Sequence, residues 1–201
     1  ATIIATINDD TWDEDDETFT VTLSAPSAGS NLGTTTVHTV TIADNDSTPE
    51  VSITASNSDL ESDTSRDIIV SLDHESENQI TVVYTVADAG AEESGTPDDY
   101  NFASGTATFA AGTTAVTLNA TVNNDTWDED DEDFTTTLSA PVNATLHATA
   151  TVHTETIQDN DSAPVINFTA SSDSDLESVA ARSMVIGLDH ESENQITVVY
   201  T

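Results

Sequence analysis

The chain has 201 residues, with 38 Asp and Glu against 2 Lys and Arg, which gives a formal net charge of −36 at pH 7. This charge argues against nucleic acid and anionic membranes as partners, because both attract basic proteins, and it favours cations instead. Cysteine is absent, so there is neither a disulfide framework nor thiol catalysis, and no apolar run approaches the length needed for membrane insertion.

Apolar residues alternate with threonine at the start of the chain, a pattern that predicts half-buried β-strands. Residues 1–7 are predicted to form one strand, residues 19–23 a second and residues 34–42 a third. An acidic stretch lies at residues 8–19, and Asp44-Asn45-Asp46 ends the third strand.

Residues 46–161 contain a complete unit of the same kind. Alternation predicts its strands at 51–55, 68–72, 80–86, 100–102, 105–110, 113–122, 133–139 and 148–157. The segments 105–110 and 113–122 are expected to form a hairpin across Ala111-Gly112. Residues 57–65, 73–78 and 87–99 are expected to be loops or turns.

The chain is internally repetitive. The acidic stretch recurs at residues 123–134, and residues 188–201 are identical to residues 72–85. We therefore predict the C-terminal part of one repeat at 1–46, a whole repeat at 46–161 and the N-terminal part of a third at 161–201. Short, evenly spaced strands without helical periodicity predict tandem antiparallel β-sandwiches. The partial units indicate a window from a longer array, or half-domains completed by neighbouring chains.

The acidic stretches favour binding of a hard cation. Two carboxylates about 6 Å apart repel by about 3 kcal/mol at an effective dielectric near 20. Such loops either stay open in water, as on a salt-adapted surface, or collect ions such as Ca²⁺, which prefers oxygen ligands. An EF-hand is excluded because residues 13–17 lack its central glycine and flanking helices.

Four motifs of the complete unit resemble the Calx-beta repeat of sodium–calcium exchangers, integrin β4 and many bacterial surface proteins. They are Gly105-Thr-Ala-Thr-Phe-Ala-Ala-Gly112, residues 122–134, Leu138-Ser-Ala-Pro141 and Thr156-Ile-Gln-Asp-Asn-Asp161. The resemblance implies an immunoglobulin-like sandwich of two sheets, with several Ca²⁺ ions at one end of the domain.

The resemblance also implies a set of calcium ligands in each unit. In the complete unit they are Glu61, Asp99, Asn124, Asp125, Glu129, Glu132, Asp159 and Asp161. In the preceding unit they are Asp9, Asp10, Glu14, Glu17, Asp44 and Asp46, and in the following unit Glu177. Asn124 and Asn160 stand where the family has carboxylates, which lowers the charge of the site but keeps oxygen ligands.

Other residues recur at equivalent positions without indicating a site. Trp12 and Trp127 are interpreted as anchors that cover the core beneath the acidic loop. The histidines lack a second His or Cys at ligand spacing, so exposed strand or turn positions are predicted for His38, His74, His153 and His190. Arg66 and Arg182 are expected to pair with nearby acids.

The sequence favours a structural function over an enzymatic one. Paired carboxylates are compatible with glycoside hydrolysis, but these acids lie in metal-like clusters and no substrate cleft is indicated. The leading hypothesis is a Ca²⁺-stiffened segment of a long extracellular or cell-surface adhesin or filament, with neighbouring repeats or identical chains as partners. The alternatives are a regulatory calcium sensor, and a polymer subunit whose half-domains are completed by other chains through strand addition.

Overall fold

The computed structural model describes residues 1–93 and 98–201. Its regular elements are β-strands, and no helix among the described residues is long and apolar enough to cross a membrane. In chain order they are β1 Glu17–Thr22, β2 Val37–Ile42, β3 Glu50–Ile53, β4 Ser56–Leu60, β5 Ser65–Leu72, β6 Ile80–Asp88, β7 Tyr100–Asn101, β8 Gly105–Phe109, β9 Ala115–Val122, β10 Glu132–Val142, β11 Thr145–Leu146, β12 Val152–Gln158, β13 Ile166–Phe168 and β14 Ile186–Leu188. The prediction of an all-β fold is confirmed.

The middle repeat is a sandwich of two five-stranded sheets. One sheet has the strand order β4-β12-β10-β6-β8 and the other has the order β11-β3-β5-β9-β7. Neighbouring strands are antiparallel except at two edges, where β4 runs parallel to β12 and β11 runs parallel to β3. The predicted sandwich is confirmed, with these two parallel edge pairs added.

Alternation along the strands builds one core between the sheets. In β9 the buried positions are Leu118, Ala120 and Val122, and the threonine and asparagine residues between them are exposed. Tyr100 of one sheet stacks on Phe134 of the other with ring centroids 4.3 Å apart. Such an aromatic pair contributes about 0.5–1.5 kcal/mol beyond the area it buries.

The predicted hairpin across Ala111-Gly112 is wrong. The chain does turn there, since the Thr113 N–H donates to the Ala110 carbonyl over 3.0 Å. However, β8 pairs with β6 in one sheet, whereas β9 pairs with β5 and β7 in the other. The turn therefore connects the two sheets. Each segment belongs to a five-stranded sheet, which is more stable than an isolated two-stranded hairpin.

Several predicted element bounds also differ from the structure. Residues 57–60, predicted as part of a loop, belong to β4, which lies beside β12. Residues 1–7, predicted as a strand, are exposed and unpaired in the described structure, and so are residues 196–201, which repeat residues 80–85 of β6. Their counterparts β9 and β6 are central strands, each with two neighbours. Of the predicted loop 87–99, residues 94–97 lie outside the described residues.

Candidate calcium site

The strand register brings the predicted ligand loops to one end of the sandwich. Ser65 at the start of β5 pairs with Thr121 near the end of β9, and Tyr100 at the start of β7 pairs with Val122. In the other sheet, Glu132 at the start of β10 pairs with Ile157 near the end of β12. The loops at 61–64, 98–99, 123–131 and 159–161 therefore share this end, which we call the acidic pole.

Three carboxylates from three of these loops lie together at the acidic pole. Oxygens of Glu61, Asp125 and Asp161 are all within 4.8 Å of one another. Glu61 is only 3% exposed, and Oδ2 of Asp161 is buried without a hydrogen-bond partner in the described structure. A buried carboxylate oxygen without a donor is costly, so a bound cation would stabilise this cluster.

Two asparagines lie among these carboxylates. The side-chain amide of Asn160 donates to Oε1 of Glu61 over 3.1 Å and to Oδ1 of Asn124 over 3.2 Å. Asn160 therefore orients two predicted ligands by donating hydrogen bonds, a role that a carboxylate at this position cannot perform. The Asp161 N–H donates to Oδ1 of Asp159 over 3.0 Å, which fixes the turn that carries both aspartates.

The remaining predicted ligands of the middle repeat extend the cluster. Glu129, Glu132, Asp99 and Asp159 line the same narrow cavity as Glu61 and Asp125. Asp99 is held in place because the Glu92 N–H donates to its Oδ2 over 2.6 Å. All eight predicted ligands of this repeat are thus at the acidic pole.

The first repeat has a smaller cluster of the same kind. Its six predicted ligands line one shallow cavity, and they are Asp9, Asp10, Glu14, Glu17, Asp44 and Asp46. Its local geometry repeats that of the middle repeat, because the Asp46 N–H donates to Oδ1 of Asp44 over 3.2 Å. Glu177, the ligand predicted in the third repeat, is exposed, and no other predicted ligand lies in that repeat.

Mutual repulsion and burial perturb the acids of the middle cluster. Burial, followed by the neighbouring Asp161 carboxylate, raises the pKa of Glu61 to about 7. Burial, followed by the carboxylates of Asp99 and Asp125, raises the pKa of Glu129 to about 8. Burial, followed by Asp99, raises the pKa of Glu132 to about 7. Neither arginine forms an ion pair with a member of the cluster in the described structure.

These shifts predict how the stability of the metal-free protein depends on pH. The folded pKa values of Glu61, Glu129 and Glu132 lie above the ordinary 4.5, so the folded state binds their protons more tightly than the unfolded state does. Lowering the pH from about 8 to about 5 is therefore expected to raise the melting temperature of the metal-depleted protein. With saturating Ca²⁺ the trend should reverse, because metal ligands must be deprotonated.

Thermal circular dichroism across this pH range, on metal-depleted protein, checks the prediction. A variant with Glu61→Gln, Glu129→Gln and Glu132→Gln is the control, and its melting temperature should vary less with pH. A metal-free melting temperature that rises with pH over the same range would contradict the assignment.

The donor set of the cluster fits Ca²⁺. Every predicted ligand offers oxygen, from carboxylates or from the Asn124 amide, and no Cys or His belongs to the set. Ca²⁺ takes six to eight oxygens at about 2.3–2.6 Å, so two oxygens that share one ion can lie up to about 5 Å apart. Glu61, Asp125 and Asp161 would hold such an ion, whose charge offsets the repulsion between them.

A buried arginine supports the loop that carries Glu61. Arg66 is 1% exposed, and its Nη2 donates to the carbonyls of Leu60 over 2.8 Å and Asp59 over 3.2 Å. Its Nη1 donates to the Asp63 carbonyl. These carbonyls flank Glu61 on both sides, so Arg66 fixes the position of a predicted ligand that it does not itself touch.

Arg66 is balanced by a buried acid of the opposite sheet. Its Nε lies 2.6 Å from Oε1 of Glu155, and His153 Nε2 lies 3.2 Å from the other oxygen of that carboxylate. The prediction of an exposed position is therefore wrong for His153, which is 1% exposed. The expected pairing of Arg66 with acids is confirmed, but its closest partner is distant in sequence.

The acidic pole of each repeat contacts the following repeat. Asp13 of the first repeat forms a parallel bridge with Ser76, whose Oγ donates to the Asp13 carboxylate over 2.7 Å. Asp128 and Ser192 repeat this bridge and hydrogen bond, also at 2.7 Å, between the middle and third repeats. We call the contact the inter-repeat joint.

Trp12 belongs to the inter-repeat joint rather than to the core of its own repeat, contrary to the prediction. Its indole lies over Gly112, where an added Cβ would be 3.0 Å from Cη2 of Trp12. Gly112 also has a φ of +72°, which disfavours other residues. Trp127 lines a cavity with Ser192 and Glu193 of the following repeat.

Sequence reasoning missed the residues of the joint and the buried pair. The sequence pattern predicts only a loop or turn at 73–78, although its identical copy at 189–194 is a signal of a shared role. Glu155 could have been found from alternation, because it lies two residues before the apolar Ile157 and so shares its inward face.

A sequence model of the Calx-beta domain matches residues 1–46 and 47–162. No curated protein sequence matches this chain significantly. The solved apo-form Calx CBD1 domain superposes with a TM-score of 0.52 at 20% identity, covering 57% of this chain and 100% of that one. The calcium binding domain CBD12 of CALX1.1 gives a TM-score of 0.51 at 22% identity, covering 61% of this chain and 50% of that one.

The structural likenesses, at these low identities, show the shared sandwich fold. The sequence match, by contrast, covers more than half of the chain and both of the acidic loops described above. The chain therefore belongs to the Calx-beta family, whose domains bind Ca²⁺ and are not enzymes.

Proposed function

We propose that this chain is a Ca²⁺-stiffened segment of a long extracellular adhesin or filament, in which neighbouring repeats, or identical chains, are its structural partners. The observation that carries the proposal is the inter-repeat joint, which sets the acidic pole of one repeat against the next at two successive boundaries. An ion bound at this pole would act at the boundary between two repeats.

Electrostatics supports a mechanical role for the ion. Without a cation, the carboxylates at the acidic pole repel one another, and this repulsion pushes apart the loops that carry them. The same loops form the joint. Ca²⁺ offsets that repulsion and holds loops from both sheets together. The joint is then expected to be stiff with calcium and flexible without it.

The ligand composition supports an extracellular setting. Asn124 and Asn160 reduce the charge of the site, and fewer charged ligands weaken calcium affinity. Extracellular calcium modules work at about 10⁻⁴–10⁻³ M, where weak sites are still occupied. The chain has no cysteine, so it depends neither on reducing conditions nor on a disulfide. Its net charge of −36 favours solubility in that setting.

Distance measurements between spin labels test the stiffening. Because the chain has no cysteine, Thr20→Cys and Thr117→Cys place one label on an exposed strand position in each of two repeats. Calcium is expected to narrow the distance distribution between them. A pair within the middle repeat, Thr85→Cys with Thr117→Cys, serves as the control and should change little. If the distance distribution between the two repeats is equally broad with and without calcium, calcium does not stiffen the joint and the chain is only a spacer.

A further inference from the structure

The docked turn of each following repeat carries a glutamate to the rim of the acidic cluster. In the second joint, the Asp130 N–H donates to Oε1 of Glu193 over 2.7 Å. The carboxylate of Glu193 thereby lines a cavity together with Asp99, Glu129 and Glu132 of the preceding repeat.

The first joint repeats the arrangement with different partners. There the Asp15 N–H donates to Oε1 of Glu77, in the turn between β5 and β6. Asp15 and Asp130 are equivalent residues of the two acidic loops, and Glu77 and Glu193 are equivalent residues of the two turns. The same contact thus forms at two boundaries of the chain.

We infer that Glu77 and Glu193 are calcium ligands supplied in trans by the following repeat, so that an ion at each acidic pole is shared by two repeats. This inference rests on the proposed calcium binding. It adds a residue from outside the repeat to a ligand set that the family places within one repeat.

The negative charge of these two glutamates indicates that a cation binds beside them. Each adds a negative charge beside a cluster that is already anionic, which costs free energy unless a counter-ion is present. An unconstrained exposed glutamate would turn towards water. Here one oxygen is fixed by a backbone N–H and the turn itself is fixed by Ser76 or Ser192. Glu193 is thereby held at the cavity that Asp99, Glu129 and Glu132 also line, as a metal ligand requires.

The shared ion makes calcium binding and docking mutually dependent. An ion that is coordinated by both repeats has its full set of ligands only in the docked arrangement. Docking therefore strengthens calcium binding, and calcium strengthens docking by the same factor. The joint then closes at the calcium concentration that fills the site.

Calorimetric titration of Ca²⁺ into the metal-depleted 201-residue protein tests the inference with matched variants. The test variant carries Glu77→Gln and Glu193→Gln, because glutamine has one carbonyl oxygen and cannot serve both the backbone N–H and the ion. The control carries Glu75→Gln and Glu191→Gln, an equal charge change in the same two turns, at residues that contact the acidic loops through their backbone carbonyls. The test variant should bind roughly tenfold more weakly than the wild type, and the control about as tightly as the wild type.

Terbium luminescence separates ligation from a general charge effect. Decay rates in H₂O and D₂O count the waters on bound Tb³⁺, a stand-in for Ca²⁺. The test variant should gain water on the affected ions, and the control should not. Equal affinities and equal water counts in the two variants would overturn the trans ligands while leaving calcium binding intact. A wild type that binds no Ca²⁺ would overturn both this inference and the proposed function.

Discussion

Saturating Ca²⁺ is expected to raise the melting temperature of the metal-depleted protein by about 10 °C for each ion that binds only the folded state. An ion present at a hundred times its dissociation constant adds about 2.7 kcal/mol to the free energy of unfolding. For a domain of this size, 1 kcal/mol shifts the melting temperature by about 4 °C. The effect is large because the ion also offsets the cost of ionising Glu61, Glu129 and Glu132, whose pKa values are raised first by burial and then by neighbouring carboxylates.

Differential scanning calorimetry with and without calcium measures this shift. A variant with Glu61→Gln and Asp161→Asn should lose most of it, because both residues contribute to the closest carboxylate cluster. The charge-matched control carries Glu50→Gln and Asp67→Asn at exposed strand positions outside the loops of the acidic pole, and it should retain the shift. A shift of the same size in both variants would mean that calcium acts by screening the net charge rather than by occupying the site.

The sandwich and the acidic pole could be predicted from sequence because both depend on local patterns. Alternation with a period of two identifies β9 and β10 whatever strands they pair with, because the apolar residues of each strand mark its buried face. The recurrence of the acidic stretch places Asp125 and Glu129 in a loop equivalent to the one that carries Asp10 and Glu14. Bringing Glu61 beside Asp161, however, required the family resemblance, because the two residues are 100 positions apart in the chain.

The features that were not predicted depend on contacts that no single segment contains. Alternation does not say in which sheet a strand lies, so it predicts a hairpin of β8 and β9 although the two strands belong to different sheets. The docking of Ser76 on Asp13 joins two repeats, and a polar turn looks the same in sequence whether it meets water or another domain. His153 was misplaced because the polar residues of β12 suggest exposure even where they face inward.

Replacing Arg66 by methionine is expected to lower the free energy of unfolding of the middle repeat by about 3–5 kcal/mol. The substitution keeps much of the buried volume but leaves Glu155 charged and unpaired in the interior, and breaking a buried pair costs about this amount. Glu155 is fully buried and its nearest cation is the Arg66 guanidinium, at 2.6 Å. Urea unfolding of the metal-depleted protein, followed by circular dichroism, measures the loss.

The double variant Arg66→Met with Glu155→Leu separates stability from calcium binding. Removing both charges should recover most of the lost stability, because apolar replacements of a buried ion pair are often neutral. It should not recover calcium affinity, since the carbonyls of Asp59, Leu60 and Asp63 still lack the guanidinium that holds the Glu61 loop in place. If the double variant binds calcium as tightly as the wild type, Arg66 serves only the core. If it is stable but binds weakly, Arg66 is a positioning residue that links the interior of the sandwich to its acidic pole.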